Sequence, residues 1–404
     1  MKPNDRKLTD KRYAMPFVLI TSLFFLWGFA RAILDVLNKH FQNVLDISIT
    51  QSAWIQVTTY LGYFLMAIPA GVFINRRGYR RGVVFGLSLF GIGALLFIPG
   101  ARVGGFHVYL AALFVIGCGL VFLETAANPY VTELGPAQTA TSRLNLSQSF
   151  NGLGSLFATL VVGQFLFNGS EAGGNVVVPY TILGTLVLFI ALGFTRVNLP
   201  EIQHRQTVEN RARGNNYSKL WRHKLFVFGL SSLLAYEVAE ISINSYFINF
   251  VTGQGWMTDN QASVALTGAL AFFMVGRFLG SWVMRRIMAE RLLLYCAAGS
   301  VLCISVVLLN LGVISLAALA CVYLFEAIMF PTIFALALTG LGNLTKSASS
   351  LLMMTPIGGC GFLLMGYVAD TVNMVVPFVI PWMGYAVVLA YAWLLIKKRK
   401  EELA

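Results

Sequence analysis

The sequence predicts an all-α membrane protein of twelve transmembrane helices, arranged as two pseudo-symmetric halves of six. Of its 404 residues, 57% are hydrophobic and only 11% are charged, whereas soluble globular chains carry about 25% charged residues. The hydrophobic residues form blocks of roughly 20, the length of helix that crosses about 30 Å of hydrocarbon. The basic residues gather in every second loop between these blocks. The composition and its pattern therefore exclude a soluble globular protein.

Apolar runs between polar breaks predict the positions of the twelve helices. The first six are expected near residues 15–38, 52–74, 82–101, 107–132, 143–168 and 177–195. The second six are expected near residues 225–252, 260–284, 292–310, 313–340, 347–368 and 375–396. The longest polar stretch of the chain separates the two sets. We therefore expect an N-terminal half at 1–196, a cytoplasmic linker at 197–224 and a C-terminal half at 225–404.

The distribution of basic residues predicts the orientation of the chain. The net charge is +12, and the loops that alternate with the basic ones hold only Lys39 and Arg102. Because cytoplasmic loops carry the excess of lysine and arginine, both termini are expected on the cytoplasmic side of a bacterial inner membrane. The lipid bilayer, and not nucleic acid, is thus the partner that the basic residues indicate.

An internal repeat relates the two halves. A glycine precedes an arginine pair by the same interval in segments 71–77 and 280–286. A glutamate stands five residues before a proline in segments 124–129 and 326–331. Parallel repeats of six helices with a site between them are typical of the major facilitator fold. The repeat therefore predicts that fold.

The arginine pairs at the ends of the second and eighth spans are candidate gating residues on the cytoplasmic side. They are Arg76, Arg77, Arg285 and Arg286. The alternative is that they are basic turns that only set the topology. Asn75 stands where major facilitator proteins usually have an aspartate, which weakens the gating hypothesis at that position.

Five carboxyl groups fall inside the predicted spans: Asp35, Glu124, Glu237, Glu240 and Glu326. An ionised carboxyl at the centre of a bilayer costs at least about 2.5–3.5 kcal/mol, so such groups face a cavity or a partner. A carboxyl that meets water on one side and then on the other can bind a proton and release it across the membrane. This set predicts an ion-coupled secondary carrier, although any single acid can instead form a hydrogen bond between helices.

Amide side chains in the fourth and fifth spans are candidate ligands for a polyhydroxylated solute. Asn145, Gln148 and Asn151 recur every third residue, which places them on one helix face. Asn128 follows Glu124 by one turn. Amides offer both donors and acceptors, as sugar hydroxyls require. The alternative is that these amides bond neighbouring helices to each other.

Arg31 and the positions of the cysteines and histidines restrict the kinds of site that the sequence predicts. Arg31 precedes Asp35 by one helical turn, so it either pairs with that acid or binds a substrate carboxylate. The five cysteines lie in apolar blocks without CxxC spacing, and the four histidines lie in loops or at span ends. We therefore expect free cysteines, no metal site, no cofactor and no enzymatic activity.

Three sequence segments carry a resemblance to a known family. They are FFLWGF at 24–29 with Asp35 nearby, FLETAANPY at 122–130 and SRLNLSQSFN at 142–151. Weaker matches follow at 330–334 and in the glycine cluster of 355–361, which is also expected to weaken the eleventh helix. The chain resembles the fucose–proton symporter family of the major facilitator superfamily.

The resemblance implies an L-fucose-permease-like carrier that takes up a monosaccharide with a cation. We expect it to carry L-fucose or a related hexose by proton symport and alternating access, as a monomer. Asp35 and Glu124 match the two essential acids of the family, and Gln148 and Asn151 match its sugar-contacting amides. The further candidates for sugar contact are Asn128, Glu240, Asn244, Arg31 and Trp27. The family's fucose permeases carry glutamine at the place of Glu240, so the identity of the sugar stays open.

Other functions fit parts of the same pattern. Some members of the family use sodium, and Arg31 suits an acidic sugar, so a sodium-coupled hexose or acidic-sugar symporter is the first alternative. A proton-coupled efflux pump for amphipathic cations would also use acids in a cavity, but the amide stripe speaks against it. A membrane enzyme acting on lipid-linked sugar would need an acid cluster in a loop, and the loops hold none.

Overall fold

The computed structural model describes residues 9, 11–103, 105–135, 140–167, 176–197, 216–284, 286–341, 344, 348 and 351–403. Within those ranges every regular element is a helix. The helices of the first part are α1 (Lys11–Leu45), α2 (Ile49–Ser52), α3 (Trp54–Arg77), α4 (Tyr79–Leu95), α5 (Phe97–Val103), α6 (Phe106–Glu133), α7 (Ala140–Phe157), α8 (Gly163–Phe167) and α9 (Val177–Arg196). A π-helical turn, Ala158–Val162, joins α7 to α8.

The second part continues the all-helical pattern. Its helices are α10 (Asn216–Leu220), α11 (Lys224–Gly253), α12 (Asp259–Val283), α13 (Ala289–Leu308), α14 (Val313–Glu326), α15 (Met329–Leu338), α16 (Phe362–Thr371) and α17 (Val379–Leu403). Short 3₁₀ helices at Thr355–Gly361 and Val376–Phe378 precede α16 and α17. Most of the predicted linker, residues 198–215, lies outside the described residues.

Eleven helical stretches of the described chain are long and apolar enough to cross a membrane. Each overlaps one of the predicted spans, so the all-α membrane fold is confirmed. The predicted eleventh span, 347–368, is described only in part and is not among the eleven. There the chain is 3₁₀ through residue 361 and α-helical only from Phe362, because Pro356 lacks an N–H and the glycines beside it have low helix propensity.

One face of α9 shows what surrounds these helices. Ile182, Leu186, Phe189 and Leu192 are between 48% and 74% exposed. They recur every three or four residues and so form one outward stripe. A continuous apolar stripe on the outside of a helix is costly in water and favourable in lipid. By contrast, most of α11 from Ile241 to Val251 is buried on all sides, as expected of a central helix.

The chain forms two compact units by its contacts. The first contains Met1–Leu34 and Leu61–Gln206, and the second contains Asp35–Tyr60 and Thr207–Ala404. In the first unit α4 packs on α6 and α9, and in the second α11 packs on α17 and on the 3₁₀ segment Thr355–Gly361. The end of α1 from Asp35, helix α2 and the start of α3 up to Tyr60 thus belong to the same unit as the C-terminal helices. The expected domain boundaries at 196 and 225 stay a prediction.

In the first unit α1 and α7 approach each other at two glycines. A Cβ atom on Gly28 would overlap the carbonyl oxygen of Asn151, and one on Gly154 would overlap the carbonyl oxygen of Phe25. Ser155 Oγ donates to the carbonyl oxygen of Gly28 at 3.2 Å across the same contact. Small residues let transmembrane helices pack backbone to backbone, which fixes the amide side chains of α7 against α1.

We expect Gly154→Ala to destabilise the protein by about 1–3 kcal/mol, the usual cost of an overpacked site. The added methyl group meets backbone atoms that no side-chain rotation can move, so α1 and α7 must separate. Gly193→Ala is the matched control, because a Cβ there has no atom within 4 Å. Alanine favours a helix by about 1 kcal/mol over glycine, so this control should unfold at the same or a higher temperature. Equal thermal unfolding of the two purified variants would show that the contact does not hold the helices.

Candidate functional site

The predicted site residues fall into two groups, one in each unit. The first unit holds Trp27, Arg31, Glu124, Asn128, Gln148 and Asn151. The second holds Asp35, Glu240 and Asn244, together with the buried acids Glu237 and Glu326.

In the first unit the carboxyl of Glu124 lies on α6 facing the apolar side chains of α1. A narrow crevice there is lined by Leu23, Phe24, Trp27, Leu123, Glu124 and Ala127. Arg31 of α1 is the cation that acts on this carboxyl. Glu124 thus lies against hydrocarbon walls with a guanidinium group as its electrostatic partner, an arrangement in which a change of ionisation has a large effect on the energy.

Amides of α7 surround the same part of α6. Gln148 Nε2 donates to Asn128 Oδ1 at 3.4 Å, and Asn128 follows Glu124 by one turn. Asn151 Nδ2 donates to the carbonyl oxygen of Phe24 at 3.3 Å, so this amide also bonds α7 to α1. The side chain of Asn145 lies outside the described ones. Glu124, Asn128, Gln148 and Asn151 are all half-buried, so none of these four polar side chains is fully enclosed by the described residues.

Packing and one hydrogen bond fix the position of the Trp27 side chain. Its indole Nε1 donates to the hydroxyl of Tyr63 at 2.7 Å, and its ring meets Phe24 edge-on at 6.0 Å between centroids. Only 8% of the residue is exposed. The residue nevertheless lines the crevice at Glu124. Its role in sugar contact stays a prediction.

In the second unit Asp35 ends a chain of hydrogen bonds that joins α1, α3 and α11. Ser245 Oγ donates to Asp35 Oδ1 at 2.7 Å. Gln56 Nε2 donates to that same Ser245 hydroxyl at 3.0 Å, and Asn38 Nδ2 donates to Gln56 Oε1 at 3.1 Å. Asn249 Nδ2 donates to Asn38 Oδ1 at 3.4 Å and closes the network on α11. The network fixes the orientation of the Asp35 carboxylate.

Sequence reasoning missed four members of this network, namely Asn38, Gln56, Ser245 and Asn249. A signal for most of them was present. Asn38 lies three residues after Asp35, and Asn249 lies four residues after Ser245, so each pair shares a helix face. Polar pairs at that spacing inside apolar spans indicate contacts between helices. Gln56 likewise lies four residues after Ser52 and three before Thr59, but its bond to Ser245 on another helix is identified only by the fold.

The other acids of the second unit lie on α11 and α14. Asn244 Nδ2 donates to Glu240 Oε1 at 3.0 Å, so these two candidates for sugar contact form one polar pair. Glu237 is buried one turn earlier, beside Gly358 of the 3₁₀ segment, where a Cβ would come within 2.9 Å of the Glu237 Cβ. Glu326 is buried at the end of α14.

The predicted gating arginines lie at helix ends. Arg76 and Arg77 are exposed in the last turn of α3. Arg286 is exposed, and its guanidinium carbon lies 4.7 Å from the ring centroid of Trp282. Arg285 lies outside the described residues. The gating role stays a prediction for all four.

Most of the chain is similar to members of one family of membrane proteins. The sequence profile of the Major Facilitator Superfamily matches residues 20–356. The chain is 34% identical to a glucose/galactose transporter of Brucella abortus, with 95% of this chain and 94% of that protein covered. It is 33% identical to the L-fucose-proton symporter of Escherichia coli, with 95% and 93% covered. The crystal structure of the E. coli fucose:proton symporter matches with a TM-score of 0.74 and 31% identity, over 95% of this chain and 98% of that one.

Proposed function

Because this chain belongs to the major facilitator superfamily, we propose that it is a secondary active transporter that carries a hexose together with a proton by alternating access. The observation that carries the proposal is the grouping of one carboxyl, Glu124, with the amides of Asn128 and Gln148 at membrane depth. The similarity to transporters of glucose and galactose and to L-fucose-proton symporters gives the class of solute.

The amides account for sugar recognition. Sugar hydroxyls both donate and accept hydrogen bonds, and the side chains of Asn128, Gln148 and Asn151 offer both kinds of atom. Their existing hydrogen bonds are 3.3–3.4 Å long, so exchange for a hydroxyl costs little. Asn244 and Glu240 offer a second set of donors and acceptors in the other unit.

Glu124 accounts for proton coupling. The carboxylate takes up a proton from extracellular water and becomes a neutral acid, which removes its attraction to Arg31. A neutral side chain is cheaper than a charged one in the closed intermediate between the outward and inward states. On the cytoplasmic side the acid returns the proton to water. Asp35 is the second acid of the cycle, oriented by Ser245.

The proposal includes the oligomeric state of the protein, its membrane and its orientation. We place it as a monomer in a bacterial inner membrane, with both termini in the cytoplasm. The alternation of basic and nearly uncharged loops supports that orientation.

We also propose an extracellular latch, which contacts within the second unit support. The carboxylate of Asp370 in α16 accepts hydrogen bonds from the backbone N–H groups of Ile49 and Thr50 at 3.2 and 2.8 Å, and from the Thr50 hydroxyl at 2.5 Å. Asp259 of α12 similarly accepts from Asn43 Nδ2 at 2.5 Å, with Lys39 Nζ at 3.9 Å. Alternating access requires segment 35–60 to leave the C-terminal helices in the opposite state, so these bonds must break.

We expect Asp370→Ala to favour the state in which this latch is open. Hydrogen bonds to a charged group are worth about 1.5 kcal/mol or more, so their loss should shift the population roughly tenfold. The measurement is the rate at which a membrane-impermeant thiol reagent, added outside, modifies a Ser245→Cys variant that lacks the five native cysteines. The control is Thr371→Ala, whose hydroxyl bonds only within α16, to the carbonyl oxygen of Tyr367. Equal labelling rates in the two variants would rule out the latch.

The test of the proposed function is uptake of radiolabelled sugars by proteoliposomes of the purified protein. The panel contains L-fucose, glucose, galactose, an amino sugar and a uronic acid, each with an imposed proton or sodium gradient. We expect uphill uptake of at least one neutral hexose that follows the proton gradient. Uptake of the uronic acid alone would instead indicate that Arg31 binds a substrate carboxylate. Uptake driven by the sodium gradient alone would show that sodium, and not the proton, is the coupling ion. Failure of every sugar would refute the proposal.

A further inference from the structure

The second unit contains a buried carboxyl that the proposed cycle does not use. Glu326 is 0% exposed and is the last residue of α14. The helix breaks after it, because Pro331 has no N–H to donate to the carbonyl oxygen of Ala327 and its ring crowds that oxygen. Arg277 Nε donates to the same oxygen at 3.4 Å and replaces the missing bond. The break between Glu326 and Met329 is thus supported by a neighbouring helix, and it fixes the carboxyl inside the bundle.

Only one oxygen of this carboxyl is satisfied. The Tyr385 hydroxyl donates to Oε2, and the Tyr236 hydroxyl donates to the backbone carbonyl oxygen of Glu326 at 3.3 Å. Among the described residues, Glu326 Oε1 has no hydrogen-bond partner. The same holds for the hydroxyl of Tyr323, which is 0% exposed and lies one turn earlier on α14. A hydroxyl can donate to a carboxylate and accept from a carboxylic acid.

The charges around Glu326 come from several elements. Glu240 of α11 is the charged group that acts on it most directly. Glu237 of α11 and Arg277 of α12 act on Tyr236 beside it, and Asp35 of α1 acts on Tyr323. An ionised carboxylate buried with one bare oxygen and a second carboxylate nearby is costly. A proton on the bare oxygen removes that cost.

We propose that Glu326 is a second proton-binding site, separate from the pair Asp35 and Glu124. Oε1 takes a proton from water on the extracellular side, forming an O–H bond, and gives it to water on the cytoplasmic side in the same cycle that moves the sugar. Tyr385 holds Oε2 in both states. This inference rests on the proposed proton-coupled sugar transport and adds to it that more than one proton accompanies each sugar.

The experiment compares the wild-type protein with Glu326→Gln in proteoliposomes. A pH-sensitive dye inside the vesicles and a radiolabelled hexose give the number of protons that enter with each sugar. We expect the ratio to fall in the variant, while sugar exchange at equal concentrations persists. At a membrane potential of 100 mV, accumulation should drop roughly fortyfold for each proton lost. The control is Glu290→Gln, a glutamate of the same unit that pairs with Arg399 at 2.7 Å near the ends of their helices.

The possible outcomes separate this inference from the proposed function. An unchanged ratio in Glu326→Gln would overturn the second site and leave the transporter intact. A wild-type protein that moves sugar without protons would overturn the proposed coupling itself. If Glu326→Gln does not fold, infrared spectra of the wild-type protein after a pH jump give the answer. We expect a carboxylic-acid band that shifts in Tyr385→Phe, and a band insensitive to that substitution would contradict the assignment.

Discussion

Glu124→Gln is expected to abolish uphill accumulation of sugar while sugar exchange continues. Glutamine resembles the protonated acid in shape and charge, so the conformational change no longer depends on proton binding at this position, and sugar can cross without a coupled proton. A difference of one pH unit is worth about 1.4 kcal/mol, or about tenfold accumulation for one proton per sugar. The variant should therefore equilibrate the sugar without concentrating it. The measurement is uptake into proteoliposomes with an alkaline interior, beside counterflow at equal pH.

The matched control for this variant is Glu133→Gln. Glu133 lies on the same helix, at its exposed end beyond the apolar part, and the substitution removes the same charge. The control should accumulate sugar as the wild-type protein does. Accumulation by Glu124→Gln at the wild-type level would refute the role given to Glu124.

Asp35→Asn is expected to cause a loss of accumulation of similar size. Asparagine keeps an oxygen that can accept the hydrogen bond from Ser245 Oγ, so the network between α1, α3 and α11 can persist while the charge is gone. Any loss of coupling is then due to the charge and not to a disrupted contact. The same uptake and counterflow measurements apply.

Ser245→Ala is the complementary variant, since it removes the hydrogen bond to Asp35 and keeps the charge of Asp35. We expect it to accumulate sugar at a reduced rate, because the carboxylate is less well oriented. If Ser245→Ala lost accumulation and Asp35→Asn kept it, the network and not the carboxylate would be the coupling element.

The fold was largely predictable from the sequence because lipid imposes simple demands on it. Every backbone polar group in the bilayer must be satisfied within a helix, so apolar blocks of the right length identify spans. The prediction was less accurate where backbone geometry decides whether a span is one continuous helix. The span expected at 313–340 is two helices, since Pro331 breaks it after Glu326 and Arg277 satisfies the freed carbonyl oxygen. The same glutamate-to-proline spacing in α6 leaves that helix continuous.

The site was predictable only in part. Acids and amides inside apolar spans are conspicuous, so Asp35, Glu124, Gln148 and Asn151 could be identified from residue type and spacing. Their partners depend on which helices meet, and that information is not contained in a single span. Gln56 reaches Ser245 only because the start of α3 lies beside α11 within the second unit. The sequence also did not show that Asp35 belongs to the second unit, because the α11 residue it bonds to lies 210 residues later in the chain.

The central claim is that sugar and proton cross the membrane together, and proton entry driven by sugar alone tests it most directly. Proteoliposomes without any ion gradient enclose a pH-sensitive dye, and a hexose that the protein transports is added outside. The proposed symport predicts that the interior acidifies as the sugar enters, in the absence of sodium, and that Glu124→Gln shows sugar exchange with less acidification for each sugar than the wild-type protein. Sugar entry by the wild-type protein with no change of internal pH would contradict the account.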